Sequence, residues 1–173
     1  MKKLLLTTLL CVVFLFPIPS QANQYGLFGE GNCTYFATEF VERFWPVAFD
    51  INGDWDACKW VGLIGREQDG YRIEQTDSPQ PGDIFILPRS KEYPRGHVGV
   101  IIGSYIHYNF SDGKQFLNYR VIESSMYATE QGYPYLLGRC RYAYCSYGAN
   151  YLKDQNAVFI TCVKGGENNC PIP

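Results

Sequence analysis

The chain has 173 residues, 46% of them hydrophobic and 18% charged, with a formal net charge of -2. This is the balance of a globular protein, not of a disordered one. A charge so close to neutral leaves no electrostatic footprint for a nucleic-acid partner.

Lys2 and Lys3 precede an uncharged apolar run from Leu4 to Phe16, which Pro17, Pro19 and Ser20 break ahead of the small-x-small site Ser20-Gln21-Ala22. Residues 1–22 therefore read as a secretory signal peptide of bacterial style, with cleavage expected after Ala22. The run falls short of the roughly 20 residues that span a bilayer. Bulky Leu9 and Leu10 argue against a lipid anchor on Cys11. The expected location is secreted or periplasmic, without membrane association once the signal is gone. Residues 23–173 suit a single domain with one core, ending in a cysteine-rich extension from about residue 133 to residue 173.

Gly29-Glu30-Gly31-Asn32 reads as a loop ending in a helix N-cap. From Cys33 to Trp45 the apolar residues Phe36, Ala37, Phe40, Val41, Phe44 and Trp45 form one helical stripe, and Pro46 ends it. Glu39 and Arg43 are four apart in the favourable order. A second short helix is expected around Trp55 to Ile64, weakened by Gly62 and Gly65. Pro79-Gln80-Pro81-Gly82 marks a turn before Ile84-Phe85-Ile86-Leu87, a continuous apolar run of the kind found in buried strands. Further strands are expected at 97–102, at 119–123 after the Ser111-Asp112-Gly113 turn, at 136–145 and at 157–163. Helices first and a meander of strands after them argue for an α+β fold with an antiparallel sheet.

Cys33 is the candidate nucleophile. A thiol reacts as its thiolate, and both a helix N-terminus and a nearby imidazolium favour that form. The amides of a first helical turn also face the place where an oxyanion would develop. The chain has two histidines. His97 opens a strand after a glycine and a loop, at an edge facing a cleft, and is the expected base. His107, among Tyr105, Ile106, Tyr108 and Phe110, reads as a packed or surface residue. The imidazole needs a partner to hold its tautomer. If the strands at 97–102 and 119–123 pair so that positions sum to 220, His97 lies opposite Glu123, which makes Glu123 the orienting carboxylate.

Six cysteines follow the signal: Cys33, Cys58, Cys140, Cys145, Cys162 and Cys170. An even count in an oxidising compartment suggests a disulfide framework, and a bridge at Cys33 is the alternative to catalysis there. With Cys33 free, Cys140, Cys145, Cys162 and Cys170 are the natural bridge formers, and Cys58 is left unpaired and buried.

Gly31-Asn32-Cys33-Thr34-Tyr35 resembles the nucleophile motif of CHAP domains, the cysteine, histidine-dependent amidohydrolase/peptidases within the NlpC/P60-like papain-fold group. Pro81-Gly82-Asp83-Ile84, Gly96-His97-Val98-Gly99-Val100-Ile101 and Val121-Ile122-Glu123-Ser124 follow in the family's order. Gly53-Asp54-Trp55-Asp56-Ala57 is similar to a segment common between the first two blocks. The resemblance covers roughly residues 29 to 125. It implies N-terminal helices packed on an antiparallel sheet, and catalytic roles for Cys33, His97 and Glu123. It also implies hydrolysis of an amide in peptidoglycan, at the muramoyl–alanine bond or within a stem or cross-bridge peptide. Many members carry Asn two residues after the glutamate, where this chain has Ser125. The tail after Cys140 has no counterpart in the resemblance.

The chemistry requires no cofactor. Two histidines and no Cys-x2-Cys pair offer little to zinc, and Asp50, Asn52, Asp54 and Asp56 fit a solvated turn better than a calcium loop. The tyrosines crowding the tail suit core packing as well as sugar stacking. Two other readings use the same residues: an inactive secreted domain that binds wall or protein, and an acyltransferase sharing the thioester step. Remodelling of the producer's own wall and attack on a competitor's wall both fit, and the second calls for a cognate inhibitor or immunity protein as partner.

Overall fold

The computed structural model describes residues 32–49, 56–124, 135–137 and 140–165. The signal segment, the 50–55 stretch, Ser125 and Cys170 lie outside the described residues. Among the described residues the first elements are helix α1 (Cys33–Phe44) and a 3-10 helix (Ala57–Leu63), followed by strands β1 (Glu67–Gln68), β2 (Tyr71–Gln75) and β3 (Ile84–Leu87). Then come β4 (His97–Asn109), β5 (Lys114–Glu123), β6 (Tyr135–Leu137), β7 (Cys140–Gly148), helix α2 (Ala149–Asp154) and β8 (Val158–Lys164). The strands form one antiparallel sheet in the order β1-β2-β8-β3-β4-β5-β7-β6. The expected α+β architecture is the one observed.

Asn32 starts α1 by accepting the Thr34 amide at 2.9 Å, as an N-cap should. The helix buries Phe36, Phe40 and Val41 against one face of the sheet, where Ile84, Ile86, Val98, Val100, Ile122 and Ile160 meet them. Phe36 is wholly enclosed, a burial that contributes about 1.5–3 kcal/mol. The other face carries Phe85, Leu87, Ile101, Tyr119 and Val121, closed by Leu152 from α2. Ile84 and Ile86 thus point to one layer and Phe85 and Leu87 to the other. That explains an apolar run without alternation: β3 is buried on both faces.

The second short helix expected around Trp55 to Ile64 is present at Ala57–Leu63, wound as a 3-10 helix. Other expectations need correction. The strand expected at 136–145 is two strands, β6 and β7, and β7 runs on to Gly148. The β1–β2 hairpin was not foreseen, although its Asp69-Gly70 loop has positive φ at both residues, as a two-residue type I′ turn requires. The strands are no simple meander either, because the last strand, β8, inserts between β2 and β3. Glu39 and Arg43 do pair, at 3.2 Å, but Glu39 is mostly covered.

The cysteines correct a second expectation. Cys145 is a free thiol, as are Cys33 and Cys58. Cys145 lies on β7 and Cys162 on β8, with β3, β4 and β5 between them. They also belong to layers on opposite faces of the sheet. Four strand spacings of about 4.8 Å far exceed the reach of a disulfide. Cys58 is half-buried rather than buried, with the Arg89 Nε donating to its sulfur at 3.2 Å.

Candidate active site

Three elements bring the expected residues together. Cys33 is the first residue of α1, His97 the first of β4 and Glu123 the last of β5. Local geometry fixes each of them. Gly96, just before His97, has φ +75°, and a Cβ there would sit 2.6 Å from the Cys58 amide nitrogen and from the Leu87 carbonyl oxygen. The Cys58 amide donates to Arg95 O at 3.1 Å, which ties the 3-10 helix to the loop that launches His97. Asp56, at the start of that helix, pairs with Arg89 and lies 3.9 Å from the Arg95 Nε.

The Nε2 of His97 lies 3.0 Å from the Oε2 of Glu123, and both residues are buried. The Cys33 side chain is near enough to the imidazole to favour its charged form. With Nε2 engaged by the carboxylate, Nδ1 is the ring nitrogen left for sulfur. Burial by itself would pull the imidazole below its ordinary value. The hydrogen bonds and charges of Cys33 and Glu123 outweigh that and hold it at about 10. The ring is further pinned by Tyr93, stacked at 5.1 Å, and by Phe85, tilted at 5.9 Å.

The strand register differs from the expectation and still delivers the pair. Val100 pairs with Ile122 and Ile101 with Val121, so positions sum to 222 rather than 220 near the site, and a bulge follows at Ile102. His97 and Glu123 are therefore diagonal neighbours, not directly opposed. A slip of two keeps every side chain on its face, whereas a slip of one would have separated them. In this register Gly99 fills the position opposite Glu123, and it also pairs with Phe85 on the other side. A Cβ on Gly99 would lie 2.6 Å from the Phe85 ring and 3.0 Å from the Glu123 Cβ. The glycine leaves the room through which the carboxylate reaches the imidazole. Gly99→Ala should destabilise the fold by about 1–3 kcal/mol, as overpacked cores do, and slow Cys33 alkylation. Thermal unfolding and iodoacetamide kinetics measure the two effects.

Glu123 accepts more than the imidazole. The Tyr147 hydroxyl lies 3.0 Å from Oε1 and 3.1 Å from Oε2, and the Cys145 thiol lies 3.5 Å from Oε1. Burial and then the Glu123 charge push the Cys145 thiol up to about 12 and the Tyr147 phenol higher still, so both remain donors. Neither residue was foreseen in this role, because Cys145 was expected in a disulfide and Tyr147 lies beyond the end of the expected strand. The usable signal was strand alternation, which puts Ala143, Cys145 and Tyr147 on one face. His107 is exposed and pairs with Phe116 on the β4–β5 hairpin, far along the strand from the site. Ser125 and most of the considered calcium loop fall outside the described residues, and Asp56 is engaged by arginines. A cavity of about 520 Å³ at the β2–β8 edge, lined by Asp69, Tyr71, Arg72 and Lys164, contains none of the three site residues.

No curated protein matches the chain. Among solved structures it is similar to the crystal structure of Ly7917 with the hydrolyzing product of MDP. The identity is 18% and the TM-score 0.44, over 80% of this chain and 55% of that one, so the chain spans about half the length of that protein. The family model described as CHAP domain matches residues 21–123. That segment includes the helix, the histidine strand and Glu123, and with well over half of the sequence matched, this chain belongs to the CHAP domain family.

Proposed function

We propose that this protein is an exported thiol hydrolase that cleaves an amide bond of peptidoglycan, as a muramoyl–alanine amidase or an endopeptidase. Membership of the family supports the reaction class. The observation that carries the reading is the convergence of Cys33, at the head of α1, on His97, whose Nε2 lies 3.0 Å from the Glu123 carboxylate. The apolar leader ahead of Ala22 supports a periplasmic or secreted place of work.

In the proposed reaction His97 holds the proton of Cys33, and the thiolate attacks the carbonyl carbon of the amide. The backbone N–H of Cys33 is the proposed donor to the resulting oxyanion; the neighbouring Thr34 amide is already taken by Asn32. Collapse breaks the C–N bond as the imidazolium gives its proton to the departing amine. Water, deprotonated by His97, then attacks the thioester, which releases the acid and returns the thiol. Glu123 keeps the ring in the tautomer both steps need.

Digestion of purified peptidoglycan, followed by mass spectrometry of the fragments, tests the reading. Each cut should add one water and expose one new amine and one new carboxyl group. Intact peptidoglycan of every cross-link type tried would overturn the proposal. Products carrying an added amine in place of water would reassign the chain to acyl transfer.

A further inference from the structure

Glu123 is one of the few buried charged side chains among the described residues, and most of what holds it comes from β7, beyond the segment that the family model covers. Tyr147 sits opposite Tyr119 on the neighbouring strand, four residues along from Ala143, the partner of Glu123. Four residues are about 13 Å of strand, a gap that a leaning phenol and an extended carboxylate can bridge and a serine could not. The hydroxyl lies almost equally far from the two carboxylate oxygens, at 3.0 and 3.1 Å, so it fixes the rotation of the group as well as its place. Tyr147 is itself held, edge-on to Phe85 at 5.7 Å and stacked on Tyr151 at 5.7 Å. Phe85 also touches the His97 ring. One aromatic row therefore supports the imidazole and the carboxylate together.

We propose that Tyr147 is a positioning residue of this site, clamping the Glu123 carboxylate so that Oε2 meets His97, and that the C-terminal extension is thereby part of the catalytic apparatus. Cys145 adds a second, weaker donor from the same strand face. The role rests on the hydrolase reading, but its first measurement does not need turnover.

The test removes one oxygen. Tyr147→Phe keeps the ring and its packing, and is compared with Glu123→Gln and with the double variant. Cys33 alkylation by iodoacetamide at neutral pH, followed on the Cys33 peptide by mass spectrometry, should slow several-fold in Tyr147→Phe. The same substitution should add nothing in the Glu123→Gln background, since residues in one network are not additive. On a soluble wall fragment, kcat should fall about tenfold with KM unchanged, the loss expected when positioning alone is damaged. Wild-type alkylation rates in Tyr147→Phe, or an equal loss with and without Glu123, would overturn the assignment. If wild type cuts no wall fragment, the hydrolase reading fails, and the alkylation series still decides the clamp.

Discussion

Replacing Cys33 with alanine should abolish peptidoglycan cleavage, with a loss of about 10⁴-fold or more, while the fold stays intact. The size follows from the role. Without a nucleophile only the binding and the oxyanion donors remain, and loss of any member of a catalytic triad leaves that residue of rate. The fold should survive because Cys33 is a partly buried first-turn residue, and the cap at Asn32 and the enclosed Phe36 are untouched. Circular dichroism and thermal unfolding should superimpose on wild type. The complementary measurement is site-resolved alkylation. Cys58 and Cys145 are also free thiols, so a fast reaction has to map to the Cys33 peptide. Cys145, pushed up to about 12 by burial and by Glu123, should be among the slow ones. Undiminished cleavage by Cys33→Ala would remove the thiol mechanism entirely.

The second large effect belongs to His97. In His97→Gln the sulfur loses its proton acceptor and its counter-charge, so alkylation at pH 7 should slow at least about tenfold. Hydrolysis should fall by about 10⁴-fold, because the departing amine loses its acid as well. The wild-type pH dependence follows from the same group. The imidazole holds its proton up to about 10, because Cys33 and Glu123 outweigh the effect of burial. The protonated form acts as the acid, so hydrolysis should persist through the neutral range and decline as pH rises through about 10. Alkylation needs only the thiolate, so it should show no such decline. Two profiles that fall together above that pH would contradict the separate roles of sulfur and ring, unless the protein unfolds there, which circular dichroism at each pH would reveal.

The parts legible beforehand were those written in local chemistry. An asparagine before a helical stripe locates a cap, so the position of Cys33 at the head of α1 could be read directly. A four-residue apolar run announces a doubly buried strand, and Ser111-Asp112-Gly113 a turn, with Gly113 at φ +69°. The misses have equally physical causes. The β1–β2 hairpin is short and mostly polar, with Ile73 as its single buried side chain, so its pattern is faint despite the Asp69-Gly70 loop. The β4–β5 hairpin runs well past its expected ends because backbone pairing carries it out to Asn109 and Lys114, where most side chains are exposed and none is buried.

By itself, then, the sequence singled out Cys33 and His97 as candidates, because residue type and position within an element are local properties of the chain, and it reached Glu123 through an assumed strand pairing. Tertiary structure decided how they meet. The register that makes His97 and Glu123 diagonal neighbours depends on pairing across strands, and so does the need for Gly99 between Phe85 and the carboxylate. The Tyr147 clamp joins residues 24 positions apart through the β5–β7 ladder. The separation of Cys145 from Cys162 arises from the insertion of β8 on the far side of β3. Spacing along a chain says nothing about which strand becomes which neighbour. That is set by how the whole sheet buries its two apolar layers at once.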